Sequence, residues 1–266
     1  MTTASGHTGA TTVLPGQAIK TDTAGLVAGD VSIPAGGDRL PAYRAMPEGA
    51  GPFPVVLVIE EIFGLHEYIK DVCRRLARLG YCAVAPELYA RLGDIGAVTD
   101  VQVLLRDFIS KTPDAQVMSD IDATLAWAVA SSKGDAARVG ITGFCRGGRA
   151  TLFYAAHSKN VKAGVAWYGK FTSPRTNIQP HMAMDMADKL NCPVLGLYGG
   201  KDKSIPVEEA HRFEAAAKAA GKTVEMVIYP EADHAFHADY RPSYDPAAAA
   251  DGWRCMLDWL CQHGVA

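Results

Sequence analysis

The chain lacks most of what would mark a nucleic-acid binder, a membrane protein or a metalloprotein. Its 26 Lys and Arg against 29 Asp and Glu leave a formal charge of −3. That balance offers no field for nucleic acid or an anionic membrane surface. No apolar run approaches the roughly 20 residues of a membrane span. Cysteine is sparse: there are six, at 73, 82, 145, 192, 255 and 261, with no C-x-x-C pair and no zinc-finger spacing. Several lie in apolar segments and read as core thiols, the usage of a reducing compartment such as the cytoplasm. Gly143–Gly148 is not G-x-G-x-x-G, and Gly199-Gly200-Lys201-Asp202 lacks the Ser or Thr of a P-loop. Neither nucleotide fingerprint is therefore present. His234 and His237 form H-x-x-H without a glutamate between them, on a loop-like segment, which argues against zinc. No cofactor and no metal are expected. There is no internal repeat, no low-complexity tract beyond Ala247–Ala250, and no Pro/Gly/Ser linker in the middle. The opening MTTASGHTGATT lacks the basic start and apolar stretch of a secretory signal. Residues 1–20 are expected to form a poorly ordered arm and 21–266 a single domain, large enough to bury a core without disulfides.

What is present alternates. Gly25–Ser32 and Leu40–Ala45 read as strands joined by a Pro-Ala-Gly-Gly-Asp turn, and Phe53–Ile59 as a strand buried on both faces. His66–Leu79 has helical periodicity, with Tyr68, Val72, Leu76 and Leu79 on one side and Gly80 as its stop. Further strands are expected at Tyr81–Ala85, Arg138–Thr142, Ala163–Trp167, Pro193–Leu197 and Val224–Tyr229. Helices are expected over 98–110, 115–131, Gly147–Ser158, Val207–Ala220 and Ala247–Gln262. Strands alternating with helices imply an α/β fold with a mainly parallel sheet covered on both faces.

The stretch Val139–Gly148, VGITGFCRGG, organises the rest. A short apolar strand runs into Gly143-Phe144-Cys145-Arg146-Gly147 and then into helix. This is the setting of the G-x-S-x-G nucleophile elbow, with cysteine in place of serine. The glycines leave room for a strained turn, and the following helix N-terminus favours a thiolate. Two other strand ends carry matching groups. Asp202 follows Pro193–Leu197, and His234 follows Val224–Tyr229, in the chain order nucleophile, acid, histidine. Singly, Cys145 could be a core thiol, Asp202 a helix cap and His234 a loop histidine. Together, at three strand ends, they read as a relay: His234 takes the Cys145 proton, and Asp202 fixes the imidazole tautomer. Met182, Met184 and Met186 could line a pocket or pack a core or lid.

From about Gly51 onwards the chain resembles the dienelactone hydrolase (carboxymethylenebutenolidase) family of α/β-hydrolases. The resemblance is carried by Glu61-Ile62-Phe63-Gly64, Pro86-Glu87-Leu88-Tyr89-Ala90-Arg91, the Gly-Phe-Cys-x-Gly-Gly elbow, Asp202 and His234-x-Phe236. It implies a triad of Cys145, His234 and Asp202, with Glu61 as a carboxylate contacting the resting thiol. It also implies oxyanion-hole N–H groups from Ile62 and Arg146, and a substrate carboxylate on Arg91. Tyr89, Phe63 and Phe236, from the same motifs, are candidate substrate contacts. The chain departs from well-known bacterial members after the histidine, where Ala235 and Ala238 replace a serine and an arginine. Arg241 lies close enough to substitute for that arginine.

Cysteine also limits the reaction. A thiolate leaves a tetrahedral adduct more readily than an alkoxide, so simple alkyl esters would revert. Enolates and phenolates leave readily, which points to activated lactones and esters. Glu60 and Glu61 end a strand side by side, so only one can face Cys145, and the resemblance selects Glu61. The expected partner is a small, possibly anionic lactone or ester, acted on by a monomer or small homo-oligomer. A general carboxylesterase, a thioesterase, a haloalkanoate-type hydrolase or a catalytically retired binding protein could use the same frame.

Overall fold

The computed structural model describes residues 18–266. The expected arm, residues 1–20, falls outside the described residues as far as residue 17; Thr21, the first residue of the expected domain, donates its N–H to Asp71 at 2.6 Å. Eight strands form one sheet: β1 (Leu26–Ala35), β2 (Asp38–Pro47), β3 (Phe53–Ile59), β4 (Cys82–Pro86), β5 (Gly134–Phe144), β6 (Ala163–Trp167), β7 (Val194–Gly199) and β8 (Val224–Tyr229). Their spatial order is β1-β2-β4-β3-β5-β6-β7-β8. The β1–β2 and β2–β4 pairs are antiparallel and all others parallel. The helices are α1 (Glu67–Arg78), the single turn α2 (Val101–Val103), α3 (Asp114–Ser131), α4 (Arg146–His157), α5 (Val207–Ala219) and α6 (Pro246–Gln262).

The sheet is covered on both faces, and two glycines show how closely. A Cβ on Gly140 of β5 would meet Leu260 of α6 at 2.7 Å, while Gly164, paired with the next residue Ile141, faces Thr151 of α4. Neighbouring positions along a strand point to opposite faces, so α4 and α6 sandwich the centre of the sheet. Strands β4, β6 and β7 are buried at every position, as parallel strands under helices must be. The fold class expected from the sequence is the one observed.

Two local expectations needed correction. The first hairpin is longer than its sequence suggested. β1 runs through Pro34 and β2 begins at Asp38, leaving Gly36 and Gly37 as the turn, both at positive φ (59° and 88°). Such a two-residue turn matches the twist of the flanking strands, and an edge strand tolerates proline. The helix expected over 98–110 is instead broken. After α2 come a wide π turn over Leu104–Phe108 and a 3-10 turn over Ile109–Lys111. This winding places Leu104, Phe108 and Ile109 together against Tyr89 and Ile95 in a small second core. Gln179 then takes the carbonyls of Ile109 and Thr112, at 2.7 and 2.9 Å, that a continuing helix would have used.

Candidate active site

β5 ends on Phe144, and Cys145 follows at φ 55°, ψ −111°, as the N-cap of α4. The turn exists because three neighbours have no side chain. A Cβ on Gly143 would lie 2.3 Å from the Gly147 carbonyl, one on Gly147 2.2 Å from the Ile59 carbonyl, and one on Gly148 2.5 Å from the Trp167 carbonyl. α4 can therefore press against the ends of β3 and β6, and the thiol stands above the first turn of α4. The Cys145 N–H donates to Trp167 at 3.0 Å, which fixes the elbow to β6. The N–H groups of Ile62 and Arg146 find no acceptor among the described residues.

The other strand ends converge on the sulfur. His234 Nε2 is 3.3 Å from Cys145 Sγ, and His234 Nδ1 is 2.7 Å from Asp202 Oδ2. The remaining oxygen of Asp202 accepts from the N–H and hydroxyl of Ser204 at 2.8 and 2.7 Å and from the Ile205 N–H at 3.2 Å. Burial works against ionising Asp202, but His234 and Ser204 together hold its carboxyl below the usual range. Burial likewise opposes a charge on His234; Cys145 and Asp202 overcome it and push the ring up to about 10. Tyr168 stands edge-on to His234 with ring centroids 5.2 Å apart. Cys145, Tyr168 and Ala235 are three of the four non-glycine residues with positive φ among those described, at 55°, 39° and 60°. Backbone strain is thus concentrated around the triad, where the surrounding packing must hold it.

Glu60 and Glu61 diverge, as neighbours on a strand must. Glu60 accepts the Leu88 N–H at 2.9 Å, and burial with the nearby Glu87 carboxylate raises its pKa well above the usual range. Glu61 is fully buried, accepts the Tyr240 hydroxyl at 2.7 Å, and has Arg241 and His66 each at 3.6 Å. Burial alone would raise its carboxyl; His66, Arg241 and Tyr240 outweigh this and bring it down to about 2. The expected contact between Glu61 and the resting thiol is absent among the described residues. The carboxylate turns to Tyr240 and Arg241, and Cys145 faces His234 instead. Tyr240 and His66 escaped the sequence reading; the only signals were a tyrosine beside Arg241 and a histidine at the start of α1.

Three proposed substrate contacts do not face an open site. The Arg91 guanidinium binds Asp120 through two bonds, at 2.6 and 2.9 Å, and Asp38 at 3.0 Å, so it has no fork left for a ligand carboxylate. Tyr89 belongs to the small second core, and Phe236 is fully buried among Trp167, Tyr168 and Tyr229. Phe63 remains partly accessible, with the Arg241 guanidinium 5.7 Å above its ring. His237 is a core residue: its Nδ1 lies 2.6 Å from the Tyr68 hydroxyl, and it stacks on Trp253. Among the described residues no His, Cys, Asp and Glu cluster could hold a metal. No helix among them is long and apolar enough to cross a membrane.

Comparison with known proteins points to one family. The profile of the Dienelactone hydrolase family matches residues 40–264. The chain is 58% identical to a Methylorubrum extorquens protein named "Putative carboxymethylenebutenolidase", over 93% of this chain and 85% of that one. It is 49% identical to an Escherichia coli K12 protein of the same name, over 98% and 96% of the two chains. Among solved structures, a "Putative Dienelactone Hydrolase" from Klebsiella pneumoniae superposes with a TM-score of 0.87 at 52% identity, covering 89% of this chain and 99% of that one. A mainly parallel sheet whose strand ends bring a cysteine, a histidine and an aspartate together, and a family profile that begins within β2 and spans every later strand, lead to one conclusion: the chain belongs to the dienelactone hydrolase family and has its α/β-hydrolase fold.

Proposed function

We propose that the chain hydrolyses an activated lactone or ester, such as an enol lactone, through a thioester on Cys145. The observation that carries this reading is the unbroken line from Asp202 to His234 at 2.7 Å and from His234 to Cys145 at 3.3 Å. With its proton on His234, Cys145 attacks the carbonyl as a thiolate. A C–S bond forms and the carbonyl electron pair moves to oxygen, which the N–H groups of Ile62 and Arg146 receive. The adduct expels its enolate or phenolate oxygen, which takes the proton from His234. The neutral ring then draws a proton from water, hydroxide adds to the thioester, and the thiolate departs. Asp202 stays ionised throughout and holds the ring in the tautomer that this exchange requires.

Arg241, rather than Arg91, is the cation we assign to an acidic group on the substrate. Its contact with Glu61 is long at 3.6 Å, so an incoming carboxylate can compete for it. The six free thiols support a working place in the cytoplasm. We take residues 21–266 to act as one domain, as a monomer or small homo-oligomer.

The test is mass spectrometry of protein quenched during turnover of p-nitrophenyl acetate. An acetyl adduct should map to Cys145. Cys145→Ala should carry none and should lose on the order of a thousandfold or more in rate while remaining folded. A folded variant that kept more than about a tenth of the activity would refute the assignment.

A further inference from the structure

We propose that Glu60 and Glu87 act as a positioning pair: one proton held between their carboxyl groups clasps the loop that carries Ile62 to the loop 87–89. This role rests on the hydrolase reading, in which the Ile62 N–H receives the oxyanion.

The two carboxyl groups meet between those loops. Glu60 follows β3, is fully buried, and accepts the Leu88 N–H through Oε1 at 2.9 Å. Glu87 follows β4 and accepts the next amide, that of Tyr89, through Oε1 at 3.3 Å. Successive amides thus bring the two side chains together, and the Glu87 carboxyl lies within hydrogen-bond reach of Glu60. Glu60 Oε2 is buried and meets no donor among the described residues. Neither carboxyl forms an ion pair among them. The other titratable groups around the pair are Tyr89, whose hydroxyl burial pushes up, and beyond it Arg146 and Cys145. Two carboxylates side by side without a cation repel, and a buried oxygen without a donor is costly. One proton removes both penalties: Glu60 Oε2–H donates and the Glu87 carboxylate accepts.

The pair reaches both arms of the oxyanion site. Glu87 Oε2 accepts the Leu65 N–H at 2.7 Å, in the loop that begins with Glu61 and Ile62. A Cβ on Gly64, at φ 74°, would lie 2.7 Å from that same oxygen, so the loop is seated directly on the carboxyl. On the other side, a Cβ on Gly147, the residue after Arg146, would meet the Glu60 carbonyl at 2.5 Å. The Glu87 N–H donates to the Pro41 carbonyl of β2 at 2.8 Å, which anchors the clasp in the sheet. Residue 60 therefore joins the arms that carry the Ile62 and Arg146 N–H groups, and the shared proton fixes the first arm relative to the second. Loss of that proton to solvent leaves two facing anions and releases the loop.

The test compares the wild type with Glu60→Gln, whose amide donates in place of the carboxylic acid and has no proton to lose, and with Glu60→Leu, which donates nothing. The fold keeps a proton that the unfolded chain releases above an ordinary 4.5. The wild-type unfolding constant in urea should therefore rise relative to that of Glu60→Gln by about tenfold per pH unit between about pH 5.5 and 7.5. Amide exchange at Leu65 and Leu88, followed by NMR at one pH, should be as slow in Glu60→Gln as in the wild type and at least about tenfold faster in Glu60→Leu. The kcat for p-nitrophenyl acetate should follow the amides, retained within about threefold in Glu60→Gln and lost about tenfold or more in Glu60→Leu. If Glu60→Leu does not fold, the Glu60→Gln curve still decides. A constant ratio of the two unfolding constants would overturn the shared proton, and slow Leu65 exchange in a folded Glu60→Leu would overturn the clasp. A wild type without esterase activity would refute the hydrolase reading alone; the unfolding curves and the amide protons judge the pair without it.

Discussion

At φ 55° and ψ −111°, Cys145 occupies backbone space that any side chain enters at a cost of about 1–3 kcal/mol. The cost falls on whatever residue stands there, so it can be measured without reference to catalysis. Cys145→Gly should be more stable than Cys145→Ala by about 1 kcal/mol, although both are inactive. Equal urea midpoints for the two would mean that the elbow stores no strain. Arg241 can be tested equally directly. It lies 3.6 Å from a Glu61 carboxylate that its surroundings keep ionised, and its guanidinium stands over Phe63, the expected substrate contact that stays partly accessible. Arg241→Met should raise KM for a carboxylated lactone about tenfold or more and leave that for its methyl ester within about twofold. Equal changes for both substrates would remove Arg241 from recognition.

Elements meet at the elbow through backbone contacts, and glycine is what permits them. Gly147 touches the carbonyls of Ile59 and Glu60, so Gly147→Ala must push α4 away from β3. We expect a loss of about 3 kcal/mol or more in urea unfolding, with activity falling further because the Arg146 N–H moves with the helix. Near-wild-type stability would show that the two elements can separate without harm. Such close approaches explain what the sequence revealed. A strand, two flanking glycines and a cysteine are local features, and so are buried apolar runs; the elbow, the parallel sheet and the order Cys145, Asp202, His234 were all legible from them. Contacts between distant segments were not. Arg91 follows a buried strand, yet Asp120, 29 residues on, claims its guanidinium. Phe236 is two residues from His234, but the positive φ of Ala235 turns it inward. Tyr240 reaches Glu61 across 179 residues, with no pattern in either segment to announce it.

Over the whole molecule, buried charge sets the response to pH. His237 is pulled down to about 3 from an ordinary 6.5, burial first and then Arg75 disfavouring its charge. Unfolding lets it take up a proton below pH 6.5, so its contribution is present above that value and lost as pH falls towards 3. Glu61, held near 2 against an ordinary 4.5, acts in the same direction below pH 4.5. Glu60 opposes both: kept neutral in the fold, it favours unfolding once pH rises past 4.5. A substitution separates these contributions. His237→Phe keeps an aromatic ring against Trp253, and its urea midpoint should vary less than that of the wild type between pH 6.5 and 4.5. Parallel curves for the two proteins would show that His237 does not drive the acid response.

The order of the strands also decides how the site fails. Cys145 hangs from β5, with β3 on one side and β6 on the other, and its amide is bonded into β6. His234 hangs beyond β8, the last strand of the sheet, which has a neighbour on one side only. Partial openings begin where the fewest neighbours must be released, so the β8 end frays while the centre still holds. Amide protons of the nucleophile's strand should outlast those of the base's strand in deuterated water. A chain warmed towards unfolding thus loses its base before its thiol: the cysteine remains mounted and shielded, but nothing is left to draw off its proton. Heat would silence such a catalyst in stages, and cooling could restore it by re-seating one edge strand and its loop.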